Sequence, residues 1–477
     1  MANMAQHGPT DAPAGRATTL GELKASGYRS RSVKEELRHN LIRKLETDEP
    51  KFEGIVGFEE TVVPQVENAI LSGQDIVLLG ERGQAKTRLA RLLINLLDEE
   101  VPAIAGCEIN DDPYQPICAA CRAKVAERED DVEITWLRRE DRYGEKLATP
   151  DITIADLIGE IDPVKVAEGR YLADEQTIAY GLIPRTNRGI FCLNELPDLA
   201  ERIQVGLLNI MEERDVQIRG YKIRLPLDIY VVASANPEDY TNRGRIITPL
   251  KDRIGSEIRT HYPRTLDGEI AIMEQEATQF SANGYQVTYP KYMKEIIAEI
   301  THLARKNPDI SKRSGVSVRV SICNYENVLS NALRRAIRCD ERQVAPRISD
   351  LSAVLTSTAG KIELETVGDT SEERLIERIV QGAIVNVWNR YFLLSEFEGL
   401  LGRFDRGFGV DASDELPSSH YLKGLQDIRG LKEAVAKIGG QGSPATIASA
   451  VEFIMEGLHL NRKLNKDRTP GATRYRR

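Results

Sequence analysis

Residues 76–90 read IVLLGERGQAKTRLA. An apolar run ends at Gly80, a polar turn follows, and Lys86–Thr87 lead into a helix-like pattern at Leu89 and Ala90. The stretch is one residue away from the phosphate-binding loop G-x-x-x-x-G-K-[ST], because its sixth position is Ala85. Such a loop works by turning successive backbone N–H groups inward around phosphate oxygens. Here Gly80, Glu81, Arg82, Gly83, Gln84, Ala85, Lys86, Thr87 and Arg88 would form it. Gly80 and Gly83 supply backbone freedom, Lys86 reaches the terminal phosphates, and the Thr87 hydroxyl ligates magnesium. Ala85 keeps its N–H and adds only a methyl, which fits if the backbone there has negative φ and nothing packs against it. An ordinary turn before a basic helix is the plainer alternative.

A second apolar run, RGIFCLNELPDL, ends in Asn194–Glu195. In nucleotide hydrolases this tip is Asp-Glu, the Asp holding magnesium through water and the Glu orienting the attacking water. Glu195 can polarise a water; Asn194 can accept from a metal-bound water but brings no charge. Weaker magnesium binding or slower turnover is the expectation. A third run, DIYVVASANPEDY, ends in Ser234–Ala235–Asn236–Pro237, where Asn236 either holds a water or the γ-phosphate, or simply turns the chain before proline. Downstream, Arg253 in TPLKDRIGSEI and Arg319 in SGVSVRVSICNYENVL offer guanidinium forks suited to a γ-phosphate, or surface charges. Sequence position leaves both open. Cys107, Cys118 and Cys121 in GCEINDDPYQPICAACR form the last cluster. The C-x-x-C half has zinc spacing, but none of the six histidines is close, so an acidic residue or a distant thiol would have to complete a site. Reduced, buried thiols are the alternative.

The elements that must position these groups follow from periodicity. Continuous apolar runs that turn polar at their C-terminal ends read as parallel strands covered on both faces. In open α/β sheets ligands sit beyond the carboxyl ends of strands, so the three tips are expected to converge. Residues 1–17 read as a disordered tail and 18–50 as a charged, amphipathic helical segment. A core spans 51–265, with irregular insertions at about 100–188. Helices dominate 266–395; in TSEERLIERIVQGAIVNVWNRYF the apolar spacing is helical, with Thr370 and Glu373 placed for a capping box. A linker-like GRFDRGFGVDASDELPSSH precedes a last helix capped by Ser443–Pro444 within a helical extension, 396–477. The chain ends in a basic tail with seven Lys/Arg against one Asp, read as solvated, with a contact to phosphate or an acidic partner as the lesser alternative.

With 477 residues there is room for two to four domains. Net charge is −9, which argues against a broad nucleic-acid surface. No apolar run reaches the roughly 18 residues that would cross a bilayer, and MANMAQHGPTDAPAGRA lacks the apolar stretch of an export signal. Six cysteines in so long a chain do not make a disulfide scaffold, so a reducing cytoplasm is the expected location.

In order, these segments resemble the AAA+ ATPases, most closely the MoxR branch and, within it, magnesium-chelatase motor subunits. GIVGFEETVVPQVENAIL is similar to the segment before the phosphate loop, and GLIPRTNRGIFCLNELPDL to the stretch ending in the second strand. VGLLNIMEERDVQIRGYKIRLPLDIYVVASANPED is similar to the helix, hairpin and sensor strand, and LKDRIG to L-x-D-R-F-G. The likeness covers about residues 52–325. It implies an α/β fold: a P-loop AAA+ parallel-sheet ATPase core, then an all-helical lid and a C-terminal helical extension. It implies ATP and Mg2+ held between subunits of a homo-oligomeric ring, usually a hexamer, and a von Willebrand A-domain partner. Lys86 and Thr87 would bind phosphate and magnesium, Glu195 would be the catalytic carboxylate beside Asn194, and Asn236 the first sensor. Arg253 would be the finger for a neighbouring subunit and Arg319 the second sensor. Residues 148–188 resemble an insertion that grips substrate or partner. Three tasks remain open: a MoxR-type remodelling motor, the ATPase subunit of a magnesium or cobalt chelatase, and an ATP-gated scaffold that Ala85 and Asn194 leave slow to hydrolyse.

Overall fold

The computed structural model describes residues 16–167, 175–212, 215–217, 224–237, 245–278, 284–311, 315–365, 371–413, 415–425, 429–469 and 472–477. Most of the expected N-terminal tail, Thr370 and part of the expected hairpin at 213–223 lie outside them. The chain divides into two compact units, Met1–Gly80 with Ala85–Thr260, and Glu81–Gln84 with His261–Arg477.

The first unit is built on a five-stranded sheet. Its strands are β1 (Ile76–Leu79), β2 (Tyr143–Leu147), β3 (Gly189–Asn194), β4 (Ile229–Ala235) and β5 (Ser256–Arg259). They lie in the order β5-β1-β4-β3-β2, every pair parallel. Alternate residues feed two cores. Val77, Leu79, Phe191, Leu193, Val231 and Ala233 face one; Ile76, Leu78, Ile190, Cys192, Tyr230 and Val232 face the other. Burial on both faces is why these strands read as unbroken apolar runs. Register sets the site: Leu79 lies opposite Ala235, Leu193 opposite Ala233 and Leu147 opposite Asn194, so the carboxyl ends of four strands finish almost level.

Within the expected irregular stretch, β2 is a regular edge strand of the sheet. Only one of its residues, Gly144, is fully buried, so YGEKL lacks the apolar run that marks the central strands. Just before it, Arg142 forms a buried bidentate pair with Glu36 (2.8 and 2.6 Å) and donates to the Arg188 carbonyl (2.7 Å). A pair of this kind fixes geometry more than it adds stability; here it ties the helix Val33–Glu46 to the edge of the sheet. The same stretch holds two antiparallel pairs, Glu100–Ile104 with Ile134–Arg138 and Gly159–Ile161 with Ile178–Tyr180.

The second unit is mainly helical, with Lys291–Lys306, Val318–Arg338, Glu372–Tyr391 and Pro444–Leu460 its longest helices. Trp388, Phe397, Phe453 and Ile454 are among the side chains that fill its core. The helix Glu372–Tyr391 is capped by Ser371, which accepts from the Arg374 N–H. The C-terminal extension departs from expectation. The linker-like segment contains a strand, Val410–Ala412, which pairs with Ala472–Arg476, itself paired with Asn465–Thr469. The basic tail is therefore the hairpin of a small antiparallel sheet rather than a solvated end. Its charge count concealed an alternation: Arg474 and Arg476 point outward while Tyr475 is 2 % exposed and donates to Glu456, which also pairs with Lys466 at 2.7 Å. Among the described residues no helix is long and apolar enough to cross a membrane.

Candidate active site

Four chain segments bring functional groups to the carboxyl edge of the sheet. β1 delivers Gly80, β3 delivers Asn194 and Glu195, β4 delivers Ser234 and Asn236, and the helix Lys86–Leu92 starts with Lys86 and Thr87. Lys86 is 7 % exposed. Its ammonium donates to the Gly80 carbonyl and to Asn236 Oδ1 (2.7 Å). Asn236 Nδ2 donates to Glu195 Oε2 (2.8 Å). Only this amide orientation satisfies both neighbours, oxygen to the ammonium and NH2 to the carboxylate. Asn236 thus links the phosphate-loop lysine to the candidate catalytic carboxylate.

A second chain of contacts runs through Asn194, which is 6 % exposed. Its Oδ1 accepts from Ser234 Oγ (3.1 Å) and lies 3.4 Å from Thr87 Oγ1. The Ser234 hydroxyl in turn accepts from the Glu195 N–H (3.2 Å). Burial pushes the Cys192 thiol up to about 12, so it stays protonated and donates to the same amide oxygen at 3.8 Å. On its other side, Asn194 Nδ2 donates to Glu145 Oε1 (2.8 Å) on β2. Arg91 grips that carboxylate with two bonds, 2.7 and 2.9 Å. The hydrogen bonds and charge of Glu145 raise the Arg91 pKa.

Glu145 is the functional candidate that sequence reading missed. The carboxylate absent from position 194 sits one strand away, hydrogen-bonded to the amide that replaces it. Its only signal was the polar Glu-Lys inside YGEKL, which becomes legible once that segment is known to be the strand beside β3.

The backbone at the site corrects one expectation. Ala85 does not have negative φ: it is left-handed, with φ 55° and ψ 16°. Its Cβ therefore strains the turn that glycine usually makes, at a cost of about 1–2 kcal/mol for an L-residue. Glu195 is also left-handed, with φ 55°. Strained non-glycine residues are found where surrounding structure over-determines them, and here the hydrogen bond from the Glu195 N–H to Ser234 does part of this. Ala85→Gly is expected to stabilise the protein by about 0.5–1 kcal/mol, since relieved strain outweighs the flexibility gained in the unfolded chain. Urea unfolding measures this; an unchanged or lower midpoint would mean that position 85 carries no strain.

The loop residues Glu81–Gln84 group with the second unit. The Glu81 N–H donates to the Gln84 side-chain oxygen (3.1 Å), and Tyr262 Oη donates to the Arg82 carbonyl (2.8 Å). Gly83 has φ +75°, and a Cβ there would lie 1.9 Å from Ser317 Oγ, so both conformation and space demand glycine. Arg319, exposed, stands in the first turn of the helix capped by Ser317. Arg253 ends the helix Thr248–Arg253 and donates to the Pro249 carbonyl one turn back (2.9 Å). Of the expected residues, then, the structure joins Lys86, Thr87, Asn194, Glu195 and Asn236 in one network in the first unit, and Arg253 stands on its own helix there. Cys107, Cys118 and Cys121 also come together, with Asp111.

This donor set fits a magnesium–nucleoside triphosphate. It offers a buried ammonium for phosphate, a hydroxyl and an amide oxygen side by side for a hydrated cation, and a carboxylate within reach for water.

Residues 166–255 match the family model of the sigma-54 interaction domain. That span contains Asn194, Glu195, Asn236 and Arg253 and leaves out the loop around Lys86. The comparison with curated proteins found no match. Among solved structures, NtrX from Brucella abortus aligns at 16% identity and TM-score 0.41, over 73% of this chain and 66% of that one. The chain thus spans about 66% of the length of that protein. NtrX in complex with ATP aligns at 15% identity and TM-score 0.36, over 77% and 67%. A complex of magnesium-chelatase subunits BchI and BchD aligns at 17% identity and TM-score 0.35, over 69% and 98%. These TM-scores lie below 0.5, so function rests on the site itself. The first unit has the α/β parallel-sheet architecture expected of an AAA+ core, and it is followed in the chain by a mainly helical unit.

Proposed function

We propose that this chain is an ATP-hydrolysing AAA+ remodelling motor of MoxR type that works as a homo-oligomeric ring, six subunits in number, with a von Willebrand A-domain partner. The observation that carries the ATPase reading is the continuous link Lys86–Asn236–Glu195, which places a buried cation and a water-activating carboxylate on either side of one amide. In this reading Lys86 and the loop N–H groups hold the phosphates. Thr87 would ligate Mg2+ and Asn194 would hold a water of its shell, Glu145 would lend negative charge through the Asn194 amide, and Glu195 would orient the attacking water. Magnesium, when bound, would neutralise the negative charge that develops on the β- and γ-phosphate oxygens. Asn236 positions Glu195 and reports to it which group Lys86 is holding.

In such a ring Arg253, at the end of the helix Thr248–Arg253, would complete a neighbour's site. Arg253→Ala is expected to lower turnover by roughly 10³-fold while each subunit still binds ATP. Sedimentation of Glu195→Gln protein with ATP is expected to give a closed oligomer. A monomer at all concentrations, together with full turnover by Arg253→Ala, would rule out the shared site.

A slower, scaffold-like version of the same site is favoured by one observation: Arg91 neutralises much of the charge that Glu145 offers. Brisk wild-type turnover would remove it.

A further inference from the structure

The cysteine cluster lies outside the nucleotide site and has a feature that reduced thiols alone do not explain. One ligand atom each from Cys107, Asp111, Cys118 and Cys121 lies within 4.8 Å of every other. In a tetrahedral zinc site with Zn–S bonds near 2.3 Å the sulfurs stand about 3.8 Å apart, so the cluster needs only a small contraction to close on an ion. Asp111 is 0 % exposed, Cys121 1 % and Cys118 5 %. Asp111 Oδ2 accepts from the Cys118 N–H (3.0 Å), but Oδ1 is buried with no hydrogen-bond partner. A buried carboxylate oxygen left without donor or cation is costly. A disulfide between Cys118 and Cys121 would leave that oxygen just as unsatisfied; a cation inside the cluster would not.

The surroundings are those of metal-bound thiolates. The Asp111 N–H points to Cys107 Sγ (3.4 Å) and the Cys121 N–H to Cys118 Sγ (3.3 Å). N–H···S contacts of this kind orient ligating sulfurs and spread their charge. Cys118 is also the N-cap of the ten-residue helix Ala119–Arg128.

We propose that Cys107, Asp111, Cys118 and Cys121 form a closed structural zinc site. Three sulfurs and one oxygen suit a borderline-soft tetrahedral ion. Four protein ligands leave no open position for substrate, so the site has a folding role rather than a catalytic one. Binding displaces the protons of whichever thiols are still protonated.

The ion would pin the loop between the strand Glu100–Ile104 and the helix Ala119–Arg128. That loop supports the start of β3. The Ile109 carbonyl accepts from Asn187 Nδ2 (3.0 Å), Asn110 Nδ2 donates to the Arg185 carbonyl (3.0 Å), and Asp112 pairs with Arg188 at 3.7 Å. Zinc would thereby brace the strand whose far end carries Asn194 and Glu195.

The test is metal analysis of the full chain purified under reducing conditions with zinc supplied. About one equivalent of tightly held zinc is expected. Asp111→Asn should weaken zinc at least tenfold in competition with a chromophoric chelator, and Cys121→Ser should retain under a tenth of an equivalent. Should these variants fail to fold, cobalt substitution of the wild-type chain decides: the intense visible bands of a tetrahedral cobalt–thiolate centre are expected. Less than a tenth of an equivalent of zinc together with no such bands, or an unchanged affinity in Asp111→Asn, would overturn the assignment.

Discussion

Glu195→Gln is expected to lower ATP turnover by roughly 10²–10⁴-fold, the range for removing a positioned base, while ATP affinity changes by less than about threefold. The split follows from the network. Glu195 Oε2 accepts from Asn236 Nδ2, and a glutamine oxygen can accept from the same donor, without the charge assistance. The Lys86–Asn236 contact survives, so phosphate binding should too. What glutamine lacks is the charge that draws a proton from water. Its left-handed backbone, anchored to Ser234, holds the replacement where the carboxylate stood. Phosphate release against a calorimetric affinity separates the two effects. Equal loss of both would mean that Glu195 acts by holding structure. The arrested variant is also the bait with which the proposed von Willebrand A-domain partner would be sought, since a stalled motor would retain what it grips.

Position 194 gives the second large effect, and its sign is not the one that sequence alone suggests. Restoring the missing carboxylate with Asn194→Asp places an oxygen where Nδ2 now donates to Glu145 at 2.8 Å. Two carboxylates at that distance cannot both ionise, so the single substitution should not improve magnesium binding and should lower stability. Asn194→Asp with Glu145→Gln restores the complement: the glutamine amide donates to the new aspartate, and the charge now sits beside Thr87. Coupling of about 1–3 kcal/mol between the two positions is expected. Unfolding midpoints and the magnesium concentration for half-maximal ATP affinity, measured for all four combinations, give that coupling. Additive effects would show that Glu145 does not communicate with the metal position, and an improved Asn194→Asp single variant would show that Arg91 already neutralises Glu145 completely.

The parts of the site that could be read from sequence are those on central strands. β1, β3 and β4 are buried on both faces, so their residues had to be apolar until the carboxyl edge, and the change to polar at Gly80, Asn194 and Asn236 marked the edge itself. Glu145 escaped because its strand, at the sheet edge, buries only Gly144 and so carries no apolar run. Asp111 escaped for a related reason: in CEINDDPY it is one acidic residue among several, and only its burial singles it out. Backbone conformation was out of reach in a different way. Nothing in GQAKT distinguishes a left-handed Ala85 from a right-handed one, because the turn is imposed by the strand and helix that it joins. The basic C-terminus shows composition misleading outright. Its arginines dominate the count, while a single buried Tyr475 and its bond to Glu456 decide the structure.

Calorimetric titration of magnesium–ATP into the wild-type and Lys86→Ala proteins asks whether this chain holds a nucleoside triphosphate through Lys86. A charge-assisted contact from a buried ammonium is worth about 1.5–3 kcal/mol, so affinity should fall roughly 10- to 100-fold with the fold intact by circular dichroism. Equal affinity in the two proteins, or no binding by the wild type, would mean that Lys86 does not hold a nucleoside triphosphate.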